Sequence, residues 1–224
     1  MKKHIICMGN SYKNGGRCLA GIEISLNDNS YTIVRNEDGN VNWIRPVNED
    51  DTLGLDEDET SDFNILDILE INVIEAVPCG AHSENVLYSS MKKVARCKKS
   101  DANLRGLCDN CHSRIFGNYG KAVSDDVFME GGYSLMLIKP ENPRFVCQED
   151  PFGRLKFRAE FSYEGHSYNF PITDPVFLSE LKSNSNLWRE FPTGSFYFCL
   201  SLGVNFNDWH FKLVAGIVNL NNAA

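Results

Sequence analysis

Short blocks of apolar, β-branched and aromatic residues, each ended by turn-forming residues, occur on both sides of a different central segment. The clearest block runs from Arg154 to Tyr163, where apolar and polar residues alternate and Glu164-Gly165 follows as a turn. Alternation with a period of two is typical of a strand with one buried face. Repeated blocks of this kind predict a mainly β chain built from short antiparallel strands.

The strand-like blocks fall into two groups. The first group lies within residues 1–88 and the second within residues 129–224. In the first group, strands are predicted at 4–8, 18–25, 31–35, 41–47 and 63–77. In the second group, they are predicted at 133–138, 145–147, 154–163, 166–172, 196–202 and 210–218. Two small β-barrels are the favoured architecture, and a single β-sandwich is the alternative.

Helical periodicity is confined to two places. Apolar residues recur three and four apart between Met91 and Phe116, which indicates an amphipathic helix within residues 89–128. This segment is predicted to be a helical connector between the barrels. A short helix is also predicted at 174–181, with Thr173 or Asp174 as its N-cap and Pro175 at its first position.

Charge is distributed unevenly along the chain. The net charge of −8 comes from eight acidic residues within 49–62, since the remaining 210 residues carry 22 positive and 22 negative charges. The connector is basic instead, with an excess of six positive charges between Lys92 and Lys121. That excess favours either a solvated helical face or an electrostatic contact with phosphate. The overall acidity therefore does not exclude a nucleic-acid partner.

Eight cysteines are scattered at irregular spacing, so reduced thiols are expected. Cys7, Cys18, Cys147 and Cys199 lie in strand-like contexts and are predicted to be small buried side chains. The spacing Cys108-x-x-Cys111-His112 matches c-type haem attachment, and a zinc site is the stronger alternative. Such a site would use Cys97, Cys108, Cys111 and His112. Its single paired knuckle is atypical of zinc sites, and we therefore predict no metal.

Features of membrane and exported proteins are not apparent. No apolar run approaches the roughly 18 residues that a membrane span needs. The apolar stretch after Met1 is too short for a signal peptide. A cytoplasmic protein without a membrane partner is expected.

The sequence gives little support for catalysis. None of the five histidines lies in an H-E-x-x-H motif or beside a nucleophile elbow. No catalytic residue and no cofactor are predicted. A nucleotide hydrolase that uses His82 and Glu84 remains the weakest of three functional hypotheses.

Several ordered segments carry a resemblance to a known family. They include Asn10-Ser11-x-Lys13-x-Gly15-Gly16-Arg17-Cys18, Trp43-Ile44-Arg45-Pro46-Val47, His82-Ser83-Glu84-Asn85 and Tyr163-x-Gly165-x-x-Tyr168. Others are Ile172-Thr173-Asp174-Pro175, Leu200-Ser201-Leu202-Gly203 and Lys212-Leu213-Val214-Ala215. Together they resemble the bacterial dual OB-containing domain family. The resemblance implies two OB-like barrels, nucleic-acid or nucleotide ligands, and an association with bacterial conflict systems such as phage defence.

OB barrels bind strands by stacking bases on aromatic side chains and by following phosphates with Lys or Arg. The predicted ligand-binding residues are Lys13, Arg17, Trp43, Arg45, Arg158, Tyr163 and Tyr168. Those of the first half have plainer alternatives, since Lys13 and Arg17 suit an exposed hairpin loop, Trp43 suits a core position and Arg45 suits pairing with a carboxylate.

The favoured function is therefore non-catalytic binding of single-stranded nucleic acid or of a nucleotide. The alternative from another class is a protein-interaction or regulatory module. Such a module would bind a partner protein through the acidic segment 49–62, which would act as the contact or as a nucleic-acid mimic.

Overall fold

The computed structural model describes residues 1–27, 30–50, 53–109, 112–128, 132–150 and 152–221. Strands dominate and helices are few, which confirms the predicted mainly β class. The first half contains β1 (Lys2–Lys13), β2 (Gly16–Asn27), β3 (Ser30–Ile33), β4 (Trp43–Val47), β5 (Asp67–Ala76) and β6 (Asn85–Arg96). The second half contains β7 (Ala122–Ser124), β8 (Leu135–Ile138), β9 (Glu141–Glu149), β10 (Leu155–Tyr163), β11 (His166–Pro171), β12 (Phe196–Leu202) and β13 (Trp209–Asn219). The α-helices of the described residues are α1 (Glu57–Thr60), α2 (Asp101–Leu107) and α3 (Pro175–Ser183).

Five strands of the first half close into a barrel. Their order is β1, β2, β4, β6 and β5, and β5 pairs again with β1. Neighbouring strands are antiparallel except β4 and β6, which are parallel. A five-stranded Greek-key barrel of this kind is an OB fold. Strand β3 pairs with the end of β2 and lies outside the closed ring.

The second half forms an open half-barrel from two sheets. One sheet has the order β11, β10, β9, and the other has the order β7, β13, β12, β8. A parallel bridge between Ile172 and Val214 joins them. Their shared core is rich in aromatic side chains, and the rings of Phe161 and Phe198 meet edge to face at 5.3 Å between centroids. This arrangement is consistent with a second OB-like unit.

Strand β1 belongs to the cores of both halves. Ile5 and Cys7 point into the closed barrel, whereas Ile6 and Met8 pack in a cluster that also contains Tyr197 of β12. Successive side chains of a strand point to opposite faces, so an uninterrupted apolar run is suited to a strand that is buried on both sides. The two halves consequently share hydrophobic core and pack directly against each other.

The predicted helical connector is wrong in its first part. Residues 89–96 belong to β6. In the described part of the connector, α-helix occurs only in α2, and short 3₁₀ turns follow at 115–117 and 125–128. The pairing of β6 with β5 shifts register at three places. Such bulges interrupt the two-residue period of a strand, which explains why the apolar spacing around Met91 resembles a helix.

Helix α3 begins where the sequence predicts. Asp174 is its N-cap and accepts hydrogen bonds from the backbone N–H groups of Val176 and Phe177. The other carboxylate oxygen accepts from the N–H of Ile217, so Asp174 also ties the helix to β13. Among the described residues, no helix combines the length and apolar character needed to cross a bilayer.

Candidate functional site

Lys13 and Arg45 line one cavity, together with His82. This cavity, the junction pocket, has a volume of about 170 Å³ and lies between the β1–β2 hairpin and residues 201–204 and 213 of the second half. Arg45 is only 3% exposed. The structure thus brings two of the predicted residues together at the contact between the halves.

A polar network fixes the Arg45 guanidinium. Its Nη2 lies 2.9 Å from Glu84 Oε1 and donates hydrogen bonds to the hydroxyls of Ser134 and Ser201, at 3.0 and 3.2 Å. Its Nη1 lies 2.5 Å from His82 Nδ1. The buried Nε has no hydrogen-bond partner among the described residues. All four contact residues lie at least 37 positions from Arg45 in the sequence, so only tertiary folding assembles the network.

His82 is held in its neutral form. Burial lowers the pKa of this histidine to about 2, and the neighbouring positive charge of Arg45 acts in the same direction. Because Arg45 donates to Nδ1, the ring proton is assigned to Nε2. Glu84 Oε1 is engaged by Arg45 and by the Ser134 hydroxyl. The arrangement therefore supplies a hydrogen-bond donor at neutral pH, and catalysis by His82 and Glu84 stays a prediction.

The other two predicted residues of the first half are engaged elsewhere. Arg17 forms an ion pair with Glu57, 2.6 Å away, and its guanidinium lies over the ring of Tyr12. Trp43 is buried, and its indole N–H donates to Asp109 at 3.3 Å. Their role in ligand binding stays a prediction.

Arg158 and Tyr168 line a second, larger cavity. This cavity, the sheet cleft, has a volume of about 560 Å³ and is lined by residues of β9, β10, β11 and β13 and by residues 119–121. Arg158 donates to the backbone oxygen of Asn169 at 2.7 Å and also to its side-chain oxygen. Tyr163 is not part of the cleft, because its ring is buried and its hydroxyl donates to the backbone oxygen of His112.

Sequence reasoning missed three residues of the sheet cleft. Lys121 and Phe211 are exposed there, and Lys212 lies behind them with no solvent exposure. The Lys212 ammonium donates to the carbonyls of Ile115 and Asn118 at 2.6 and 2.8 Å, while burial lowers its pKa to about 8. Alternating aromatics at Trp209 and Phe211 were an available signal, since they occupy the polar phase of the last strand.

Tyr119 forms the rim of the sheet cleft. The Arg114 guanidinium lies 4.8 Å from the centre of its ring, and the ring of His166 lies 3.8 Å away. Stacking on both neighbours orients an aromatic ring that is still 45% exposed. The rim therefore combines an ordered aromatic surface with positive charge.

Much of the basic excess after Lys92 is neutralised within the fold. Lys92 pairs with Glu70, and both Lys93 and Arg96 pair with Asp67. Arg105 pairs with Asp101 within α2. A phosphate contact along this segment has to compete with these internal ion pairs.

The acidic segment 49–62 lies against the β1–β2 hairpin, apart from residues 51 and 52, which are outside the described residues. Leu55 is buried and forms backbone hydrogen bonds with Arg17 in both directions. Glu57 pairs with Arg17, and Glu59 accepts from the hydroxyl of Tyr88. Within its described part, several acidic side chains thus contact this chain itself.

Of the four residues weighed as zinc ligands, Cys111 lies outside the described residues. Cys97 and Cys108 are buried, and they contact the hydroxyl of Tyr31 and the carbonyl of Leu104. Among the described residues, no group of three metal-ligating side chains is present. Of the cysteines predicted to be buried, Cys7 and Cys199 are, whereas Cys18 is partly exposed and Cys147 is exposed near the end of β9, beyond the part of that strand where Phe145 packs into the core.

Asp109 carries a pH-dependent contribution to stability. Burial raises the pKa of its carboxyl to about 6, against the opposing hydrogen bonds from Leu137 N–H and Trp43. An acid with a raised pKa binds its proton more tightly when folded, so its contribution to stability falls as pH rises from about 4 to about 6. Asp109→Asn mimics the protonated form, and we expect it to be about 2–3 kcal/mol more stable than wild type at pH 7.5.

At pH 4.5 the difference should shrink to about 1 kcal/mol, because the folded carboxyl is then protonated while the unfolded one is still mostly ionised. Urea unfolding of both proteins at the two pH values measures this. Equal stability differences at both pH values would contradict the assignment.

A sequence model of the dual OB-containing domain family matches residues 3–217. This range spans the closed barrel and both sheets of the second half. The chain belongs to the dual OB-containing domain family. No curated protein is significantly similar to it. Family membership confirms the resemblance noted in the ordered sequence segments.

In this dual OB protein, the second half covers the usual ligand face of the first barrel. OB folds bind ligands on their second and third strands and through the loops that join strands 1–2 and 4–5. In the closed barrel these are β2, β4, the tip of the β1–β2 hairpin and residues 77–84. Arg45 on β4 contacts Ser134 and Ser201, and the Tyr12 N–H donates to the carbonyl of Thr173. The junction pocket is the space left on this covered face.

Proposed function

We propose that this dual OB protein binds single-stranded nucleic acid in the sheet cleft. The observation that carries the proposal is the composition of the cleft wall. Among the described residues that line it, three are cationic (Lys121, Arg158 and Lys212), four are aromatic, and none is acidic. A cavity wall with cations and without a carboxylate favours an anionic ligand, since the chain outside residues 49–62 carries as many acidic as basic residues.

The cationic side chains differ in their suitability for phosphate. Lys121 is exposed, and Arg158 is half-buried with its guanidinium oriented by Asn169. A guanidinium held by a neutral amide keeps its full charge for a phosphate oxygen. Lys212 has no exposed surface and supports the wall from behind. Direct phosphate contact is therefore assigned to Lys121 and Arg158.

The aromatic side chains supply stacking surfaces. Phe211 lines the cleft and Tyr119 forms its rim, and each is 45% exposed. Bases of any identity stack on such rings, so binding with little sequence preference is expected. A volume of about 560 Å³ lies within the range of ligand cavities, and the cleft is partly open to solvent.

The proposal can be tested by fluorescence anisotropy. The labelled probes are single-stranded DNA, single-stranded RNA, duplex DNA and a mononucleotide. Single strands should bind more tightly than duplex, because paired bases do not expose their faces to Phe211. With about two phosphate contacts, raising salt from about 50 to about 200 mM should lower affinity roughly sevenfold. No binding of any single strand at protein concentrations of about 100 µM would sink the proposal.

A further inference from the structure

The junction pocket is too small for a nucleic-acid strand. Its volume of about 170 Å³ is less than a third of that of the sheet cleft. The second half closes it on one side through residues 201–204, and the β1–β2 hairpin closes it on the other. Its occupant must therefore be a small molecule or a small group of a larger one.

Nitrogen donors meet at this pocket. Arg45 contributes a guanidinium whose buried Nε–H has no partner among the described residues, although the side chain is 96% shielded from solvent. A buried donor without a partner costs free energy that a ligand can recover. Neutral His82 contributes its Nε2–H, since Nδ1 accepts from Arg45.

The charge at the pocket favours an anion. Lys13 lies in its wall, and no aspartate or glutamate is among the described residues that line it. Glu84 pairs with Arg45 from outside this wall, so it orients the guanidinium and offsets its charge. The ammonium of Lys13 then supplies the positive charge, while Arg45 and His82 supply directed hydrogen bonds. A tetrahedral oxyanion is the ligand that several converging N–H donors bind best.

We propose that the junction pocket binds the phosphate group of a small phosphorylated molecule, with Arg45, His82 and Lys13 as its donors. Inorganic phosphate and a nucleoside monophosphate are two sources of this chemistry. Apolar side chains such as Leu213 form the remaining wall and suit the uncharged part of a phosphate monoester. The site is separate from the sheet cleft, so it does not depend on nucleic-acid binding there.

The reactivity of the Cys18 thiol can be used to measure ligand binding in the junction pocket of the wild-type protein. Cys18 lines the junction pocket and is partly exposed, whereas Cys147 is exposed on β9 outside it. The rate at which iodoacetamide alkylates each thiol is measured by peptide mass spectrometry. The reactions contain inorganic phosphate, AMP or adenosine at matched ionic strength. At ligand concentrations about ten times Kd, phosphate or AMP should slow alkylation of Cys18 roughly tenfold and leave Cys147 unchanged.

The ligand series distinguishes the sources and can overturn the proposal. Protection by both phosphate and AMP assigns the site to the phosphate group, and protection by AMP alone assigns it to a phosphate monoester. Equal protection by adenosine and AMP would contradict phosphate recognition. The proposal also fails when neither phosphate nor AMP at about 50 mM slows the alkylation of Cys18, or when Cys147 slows in parallel.

Variants separate this site from the sheet cleft. Arg45 is embedded in the fold, so Lys13→Gln is the informative change. This variant should need about ten times more phosphate to halve the alkylation rate of Cys18, since one charge-assisted hydrogen bond is lost. Lys182→Gln, an exposed lysine of α3, is the matched control. Phe211→Ala should leave the protection of Cys18 intact, and a Lys13→Gln protein that is protected like wild type would contradict the assignment.

Discussion

Replacing Phe211 with alanine is expected to weaken the binding of a single-stranded oligonucleotide by about tenfold to a hundredfold, because each base stacked on an aromatic ring contributes roughly 1–3 kcal/mol. Phe211 lines the sheet cleft at the start of β13 and is 45% exposed, so its removal disturbs little of the hydrophobic core. Since the ring is uncharged, the dependence of affinity on salt should stay as in the wild type. Anisotropy titrations at several salt concentrations measure both quantities.

Replacing Lys121 with glutamine is expected to change the salt dependence of affinity, which Phe211→Ala leaves unchanged. Loss of one phosphate contact should reduce the slope of log affinity against log salt by about 0.7 for a single strand. The matched controls are Phe152→Ala and Lys182→Gln, because Phe152 is 81% exposed at the turn between β9 and β10 and neither side chain lines the cleft. If Phe152→Ala weakens binding as much as Phe211→Ala does, the strand does not bind in the sheet cleft.

Gly216→Ala is expected to destabilise the protein by about 3 kcal/mol or more, because the added methyl group meets backbone that cannot move aside independently. A Cβ at Gly216 would lie 2.0 Å from the carbonyl oxygen of Met8. Met8 is on β1 and Gly216 is on β13, so the clash lies where a strand of one half packs against a strand of the other. Relief of the clash requires β13 to separate from β1 and opens the core that both halves share.

Urea unfolding followed by circular dichroism measures the loss. Gly106→Ala is the matched control, because a Cβ there meets only the end of the Ile33 side chain at 3.8 Å. Alanine also favours helix over glycine, so this variant should be as stable as wild type or slightly more stable. A Gly216→Ala protein with unchanged stability would show that the halves do not pack as closely as the fold indicates.

The prediction of strands succeeded where each strand has one exposed face. From Arg154 to Tyr163, burial of one face requires alternation, and β10 occupies nearly this range. The cap at Asp174 was equally predictable, because the carboxylate bonds to N–H groups only two and three residues away. In both places the interactions that decide the structure are local. At Met91 the prediction failed, since bulges against β5 remove the period on which it depends.

Site prediction depended on partners that the sequence does not bring near each other. Arg17, Trp43 and Arg45 are suitable residue types for a nucleic-acid site, but Glu57, Asp109 and the network around Glu84 engage them. The sequence did not predict Lys121 and Phe211 as parts of one site, because 90 positions separate them. Only the pairing of β7 with β13 places them together.

By itself, the sequence determined the mainly β class, the two groups of strands, the position of helix α3 and membership of the dual OB-containing domain family. These features follow from hydrophobic periodicity, turn residues and ordered motifs, which are properties of neighbouring residues. Tertiary structure alone decided that the second half covers the ligand face of the first barrel. It placed Arg45, a candidate for contact with a nucleic-acid strand, in the wall of a small pocket, because its partners Ser134 and Ser201 come from the distant half of the chain. Which surfaces stay open to a ligand is a property of packing between distant segments, and no local pattern encodes it.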